Sequence, residues 1–209
     1  METKVVFLDA LGTLVKLEPP WLHLAAELEV DVDERLVDAV RAEMDYYKGH
    51  AHEGTDTAAL ADLRARCAEV LSRELGRDVS VEQMMAAIRF RAYPDAGPAL
   101  SALRSRGLRL VCVSNWDISL TDVLQRCDLL EPIEGVVTSA GAGARKPDAA
   151  IFETALEVAG VQAAEAIHVG DTEDEDVAGA TAAGIRALLL DRHGGGDIAS
   201  LAEISDHLG

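Results

Sequence analysis

The chain has 209 residues, 49% of them hydrophobic, and 37 acidic against 19 basic side chains give a formal net charge of −18. That length suffices for one α/β domain with a small insert, and the charge excludes the basic stripe that nucleic acid or an anionic membrane surface would require. No apolar run approaches the ~20 residues of a bilayer span; with Met1-Glu2-Thr3-Lys4 opening straight into a strand-like run and Cys67, Cys112 and Cys127 lacking CxxC spacing, a cytoplasmic protein with reduced thiols is expected.

The first apolar run, 5–8, is rich in β-branched residues and ends at Asp9, followed by the turn Ala10-Leu11-Gly12-Thr13. A carboxylate leaving a buried strand into a glycine-containing turn is held at the sheet edge. There it can attack an electrophile, bind a cation, or simply satisfy turn amides. From 17 to 91 the strand pattern stops, and helical periodicity takes over at 21–29, 34–47, 57–75 and 81–90. Pro19-Pro20 on one side and Pro94 with Gly97-Pro98 on the other suit hinge linkers. The chain therefore divides into a core made of 1–16 and 92–209 and a helical insert at 17–91.

The second run, 108–113, leads into Ser114-Asn115-Trp116-Asp117, where a hydroxyl and an amide could serve an anion or merely make a turn. After the third run, 136–138, comes Lys146-Pro147-Asp148, with Asp148 as N-cap of a helix over 149–158. Lys146 is the only lysine of the C-terminal half, a lone ammonium that could neutralise a bound anion. The fourth run, 167–169, exits through Gly170-Asp171 into Thr172-Glu173-Asp174-Glu175-Asp176; a fifth follows at 187–190. Helix capping and the helix dipole account for some of these acids. Asp171 fits that account less well, because a strand-Gly-Asp exit points a second carboxylate toward Asp9, and two converging carboxylates repel unless a cation joins them. Strands alternating with helices specify a Rossmann-like, doubly wound parallel sheet whose chemistry lies at the carboxyl ends of the strands.

In order, these segments resemble the four motifs of the haloacid dehalogenase-like hydrolase superfamily: a strand ending in DxxGTL, a strand ending in Ser-Asn, a Lys-Pro, and GDTxxxDVxGAxxAG, spanning 5–184. The resemblance implies that the insert is a helical cap of the C1 type. It implies Asp9 as nucleophile, Thr13 as support of its loop, Ser114 and Lys146 on the transferring anion, and Mg2+ held by Asp9, Asp171 and the Leu11 carbonyl. Asp176 is expected at the metal's periphery or orienting Lys146, and Leu11, Asn115, Trp116 and the cap residue Arg41 are expected at the substrate.

The family's phosphatases carry DxDxT, whose second Asp moves the proton; here that position is Leu11. Mg2+-dependent hydrolysis of a small phosphorylated metabolite through an aspartyl intermediate, by a monomer or homodimer, is the favoured reading. A 2-haloacid dehalogenase also lacks the second Asp, but usually has Tyr at the Leu11 position and a small neutral residue at the Asp171 position. A phosphonatase-like role for Lys48, and a binding protein that has lost turnover, complete the alternatives.

Overall fold

A computed structural model describes residues 2–208. Strand β1 (Val5–Leu8) is followed by β2 (Val15–Leu17), then by helices α1 (Pro20–Leu28), α2 (Glu34–His50), α3 (Thr57–Leu75) and α4 (Val81–Ala87), and by β3 (Phe90–Ala92). Next come α5 (Ala96–Ser105), β4 (Arg109–Ser114), α6 (Leu120–Arg126), β5 (Gly135–Thr138), α7 (Ser139–Ala142) and α8 (Ala149–Ala159). The chain continues through β6 (Ala166–Gly170), a wide helical turn at Glu173–Ala178, α9 (Gly179–Ala182), β7 (Arg186–Leu189) and a final 3-10 turn at Leu201–His207.

The main sheet has the order β5-β4-β1-β6-β7, every pairing parallel. β1 lies at its centre, pairing Val5 with Arg109 of β4 and with Ala166 of β6. Its four residues alternate between two apolar clusters. Val6 and Leu8 pack with Leu100, Leu103 and Leu124 of α5 and α6, whereas Val5 and Phe7 pack with Ile151, Phe152 and Ala155 of α8. β4 alternates the same way, with Leu110 and Cys112 on one side and Val111 and Val113 on the other. A strand whose side chains point to opposite faces, both covered by helices, has to be apolar throughout. This is the doubly wound α/β arrangement expected from the alternation of runs.

The insert helices bury a third cluster of their own, in which Leu24, Leu36, Val40, Leu63, Leu71 and Met84 meet. Local chemistry sets their ends: Asp33 and Asp56 cap α2 and α3 by accepting backbone N–H bonds, Ser80 and Gln83 form a capping box at α4, and Gly76 ends α3 at φ +64°. Two expectations need correction. The connections into and out of the insert are not open linkers but an antiparallel ribbon, with Val15 opposite Ala92 and Leu17 opposite Phe90. Accordingly α4 stops at Ala87 instead of reaching Phe90; Ile88 is already extended, at φ −87° and ψ 103°.

Candidate active site

In the main sheet the chain moves from β1 outward through β4 to β5, then returns to the other side of β1 for β6 and β7. The carboxyl edge beside β1 is thus a topological switch point, where open α/β sheets form their crevice. Asp9 leaves β1 there and is anchored through its backbone N–H to the Val169 carbonyl, at 2.9 Å. Its Oδ1 accepts hydrogen bonds from Ser114 Oγ (2.9 Å) and from Lys146 Nζ (2.6 Å). Among the described residues no hydrogen bond reaches Asp9 Oδ2. Lys146 Nζ also donates to Asp176 Oδ1 at 2.5 Å, so one buried ammonium joins two buried carboxylates.

Asp176 is committed on every side. Its Oδ1 also meets His168 Nε2 (2.9 Å), and its Oδ2 accepts from the Thr172 N–H (3.1 Å). Asp171 folds over the turn after β1: a Cβ built on Gly12, at φ +90°, would stand 1.8 Å from Asp171 Oδ2. Asp9, Asp171 and Asp176 each offer an oxygen within 4.8 Å of the others. Since Asp176 is engaged by Lys146, His168 and Thr172, the oxygens left to hold a cation are those of Asp9 and Asp171. Three ionised carboxylates against one ammonium leave two negative charges to balance, which a divalent cation does, and oxygen donors suit a hard ion. Replacing Gly12 by alanine is therefore expected to push Asp171 aside and abolish divalent-cation binding in calorimetric titration, with circular dichroism unchanged. A wild-type isotherm from Gly12→Ala would contradict this placement.

The charges respond to this crowding. Burial pushes the Asp9 carboxyl up, and Lys146 opposes that without overcoming it. Burial, with Asp9 and Asp176 behind it, raises Asp171 to about 6. For Asp176 burial acts in the same direction, but Lys146 and His168 outweigh it and hold the carboxyl below the usual range. Burial disfavours the Lys146 charge too, yet Asp9 and Asp176 more than restore it.

The other expected residues divide. Leu11 is half-buried at the cavity floor against the core cluster. Trp116 is buried beside Phe90, with ring centroids 5.1 Å apart, and also lines the cavity. Asn115 has its donors occupied: Nδ2 bonds the Lys146 carbonyl (3.1 Å) and Glu175 (2.9 Å), and Oδ1 accepts from the Lys146 N–H (2.8 Å), so it braces the lysine's backbone rather than an anion. Thr13 is buried with its Oγ1 unpartnered among the described residues. Arg41 does not join the site; it is exposed and pairs with Asp38 at 3.3 Å. Lys48 lines the cavity from the insert. Asp148 caps α8 as expected, accepting from the Ala150 N–H.

Two contributors escaped the sequence reading. His168 stands in the middle of β6, and a titratable side chain within a buried run was its only signal. Arg192, after β7, stacks on the Tyr93 ring at 3.7 Å and binds Asp95 with Nη1. It also donates to the carbonyls of Thr13 (2.8 Å) and Gly12 (3.4 Å), clamping the turn after Asp9 from outside.

An open parallel sheet that gathers a buried lysine and strand-end carboxylates at its switch point has the arrangement in which α/β enzymes place their chemistry. The sequence profile of haloacid dehalogenase-like hydrolases matches residues 3–184, and the chain belongs to that family. It is 42% identical over 95 residues to "Haloacid dehalogenase-like hydrolase domain-containing protein 3" of Bos taurus, covering 46% of this chain and 38% of that protein. It is 38% identical over 105 residues to a phosphoserine phosphatase of Thermus thermophilus, covering 50% of this chain and 42% of that one. The matches thus span less than half the length of these two relatives. Among solved structures, a HAD phosphatase from Thermococcus onnurineus superposes with TM-score 0.71 at 24% identity over 99% of this chain and 98% of that one. An L-2-haloacid dehalogenase from Xanthobacter autotrophicus gives 0.72 at 20%, over 98% and 97%. These superpositions carry the fold alone.

Proposed function

We propose that the chain is a Mg2+-dependent phosphohydrolase of small phosphorylated molecules, with Asp9 as nucleophile. The observation that carries this reading is the setting of Asp9: Ser114 and Lys146 hold Oδ1, no hydrogen bond among the described residues reaches Oδ2, and Asp171 stands close enough to share a cation with this carboxylate. Asp171 supports the metal requirement, since its raised carboxyl faces Asp9 and would be relieved by a cation. When bound between Asp9 and Asp171, the ion would neutralise charge on the phosphoryl oxygens. Lys146 offsets the remaining charge and keeps the Asp9 carboxylate available in a buried setting. The helical insert at 17–91 acts as a cap that excludes water while Asp9 carries the phosphoryl group.

Leu11 can neither give a proton to the leaving oxygen nor take one from water. Leaving groups that depart unprotonated, acyl or aryl phosphates, are therefore the preferred substrates. The test measures phosphate release from acetyl phosphate and from an alkyl phosphate with and without Mg2+, alongside metal-free halide release from 2-chloropropionate. Release from acetyl phosphate that needs Mg2+ is expected, and Leu11→Asp should raise turnover of the alkyl ester on the order of 10²-fold. Halide release without metal, or a folded, Mg2+-binding Leu11→Asp with no gain on any ester, overturns the reading.

A further inference from the structure

The crevice above Asp9 opens into a cavity of about 770 Å³ roofed by the insert helices. One roof residue stands apart. Glu43 on α2 is 6% exposed, lines this cavity, and forms no ion pair among the described residues. Met44, Met84, Met85 and Ile88 line the same cavity. Burial pushes its carboxyl up to about 7, the nearby Cys67 thiol of α3 opposing that rise only in part. Lys48 and Arg64 line the cavity too, but neither is paired with Glu43. On the same face of α2, Tyr47 donates its hydroxyl to Asp117 Oδ2 at 2.8 Å, so that residue's polar group is already satisfied. A carboxyl buried without a cation is unfavourable for packing, and such groups inside a cavity mark ligand recognition.

We propose that Glu43 is the recognition group for a positively charged amine carried by the substrate at the end remote from its phosphoryl group. The phosphoryl end rests on the hydrolase reading above; the amine end rests on Glu43 alone. A cation fits better than a hydroxyl, because a cation pairs with the ionised carboxylate, whereas a neutral hydroxyl leaves its buried charge uncompensated. Placement agrees with a remote end. The chain leaves α2 towards Gly54, whose carbonyl accepts from the Ile118 N–H of the core, so Tyr47 lies at the core-facing end of α2. Glu43 is one turn further away, about 6 Å along the helix.

Tyramine O-phosphate and 4-ethylphenyl phosphate have similar shape and aryl leaving groups, and differ by the amine. In the wild type kcat/KM should favour the amine by about tenfold or more, the range of a charge-assisted hydrogen bond, and in Glu43→Gln the ratio should collapse towards one. Calorimetry with tyramine, which carries no phosphate, should give binding at pH 7 with proton release, read in two buffers of different ionisation enthalpy, and about tenfold weaker binding to Glu43→Gln. An unchanged preference in Glu43→Gln, or equal tyramine affinity in both proteins, overturns the assignment. Absence of phosphate release from either ester counts against the hydrolase reading alone, because the tyramine titration still decides Glu43.

Discussion

Lys146→Met should cost the folded protein about 3–5 kcal/mol, the usual penalty for removing one member of a buried ion pair. Methionine fills much of the same volume, so the loss is electrostatic. Asp9 and Asp176 both spend an oxygen on Lys146 Nζ, and without it they face each other in a buried setting. The pH dependence changes sign with them. In the wild type Asp176 is held low, so its contribution is complete above the unfolded value of about 3.9 and is lost as the pH falls through the folded one. Lys146 is held high, and its contribution fades only as the pH rises past about 10.4. In the variant Asp176 moves above its unfolded value and Asp9, already raised, moves further up; both then stabilise only in acid and lose that contribution as the pH rises. Asp171 is raised mainly by burial in both proteins, so the difference between the two curves is the readout. Urea midpoints from pH 4 to 8 should diverge steadily, with the variant falling further behind; parallel curves would mean that Lys146 does not hold these acids together.

Asp9→Asn isolates chemistry from stability. The amide keeps the shape and an acceptor for Ser114 while removing the attacking oxygen. Phosphate release from acetyl phosphate should drop by a factor on the order of 10⁴ or more, as when a nucleophile is deleted from a working site. Because burial disfavours the Asp9 charge and Lys146 retains Asp176, the melting temperature should change little. Single-turnover assays together with thermal melts give both quantities, and a variant retaining a tenth of the wild-type rate would remove Asp9 from the nucleophile's role.

Much of the fold was legible because buried strands advertise themselves. β1 is a continuous apolar run and β4 and β6 are mostly apolar, and the residues at or just past their ends, Asp9, Ser114 and Asp171, meet at one edge because parallel strands end together. The ribbon of β2 and β3 was not legible, since three residues such as Val15, Lys16 and Leu17 are too few to establish a period of two. On α2, periodicity identifies faces without saying which face looks into the cavity. Arg41 was expected there, yet two residues, at about 100° each, separate it from Glu43 on nearly the opposite side. Arg41 therefore meets water and Asp38, while Glu43 meets the cavity. Arg192 acts through contacts with segments far apart in the chain, which no local spacing encodes; His168 meets Asp176 eight residues on, across a strand exit and a helical turn whose geometry no period reveals.

The Arg192 clamp sets an order on how the protein can be made. Its partners on the turn after Asp9 lie as far as 180 positions earlier in the chain. A ribosome delivers the turn first and the clamp long afterwards. Throughout that interval the insert helices, which bury one another through contacts closer in sequence, can consolidate, as local contacts do ahead of distant ones. The Asp9 turn cannot be gripped in this way until the segment beyond β7 has emerged and docked. Until then a nascent chain carries Asp9 in a turn lacking its outer brace, and the complete grip forms only once Arg192 has docked.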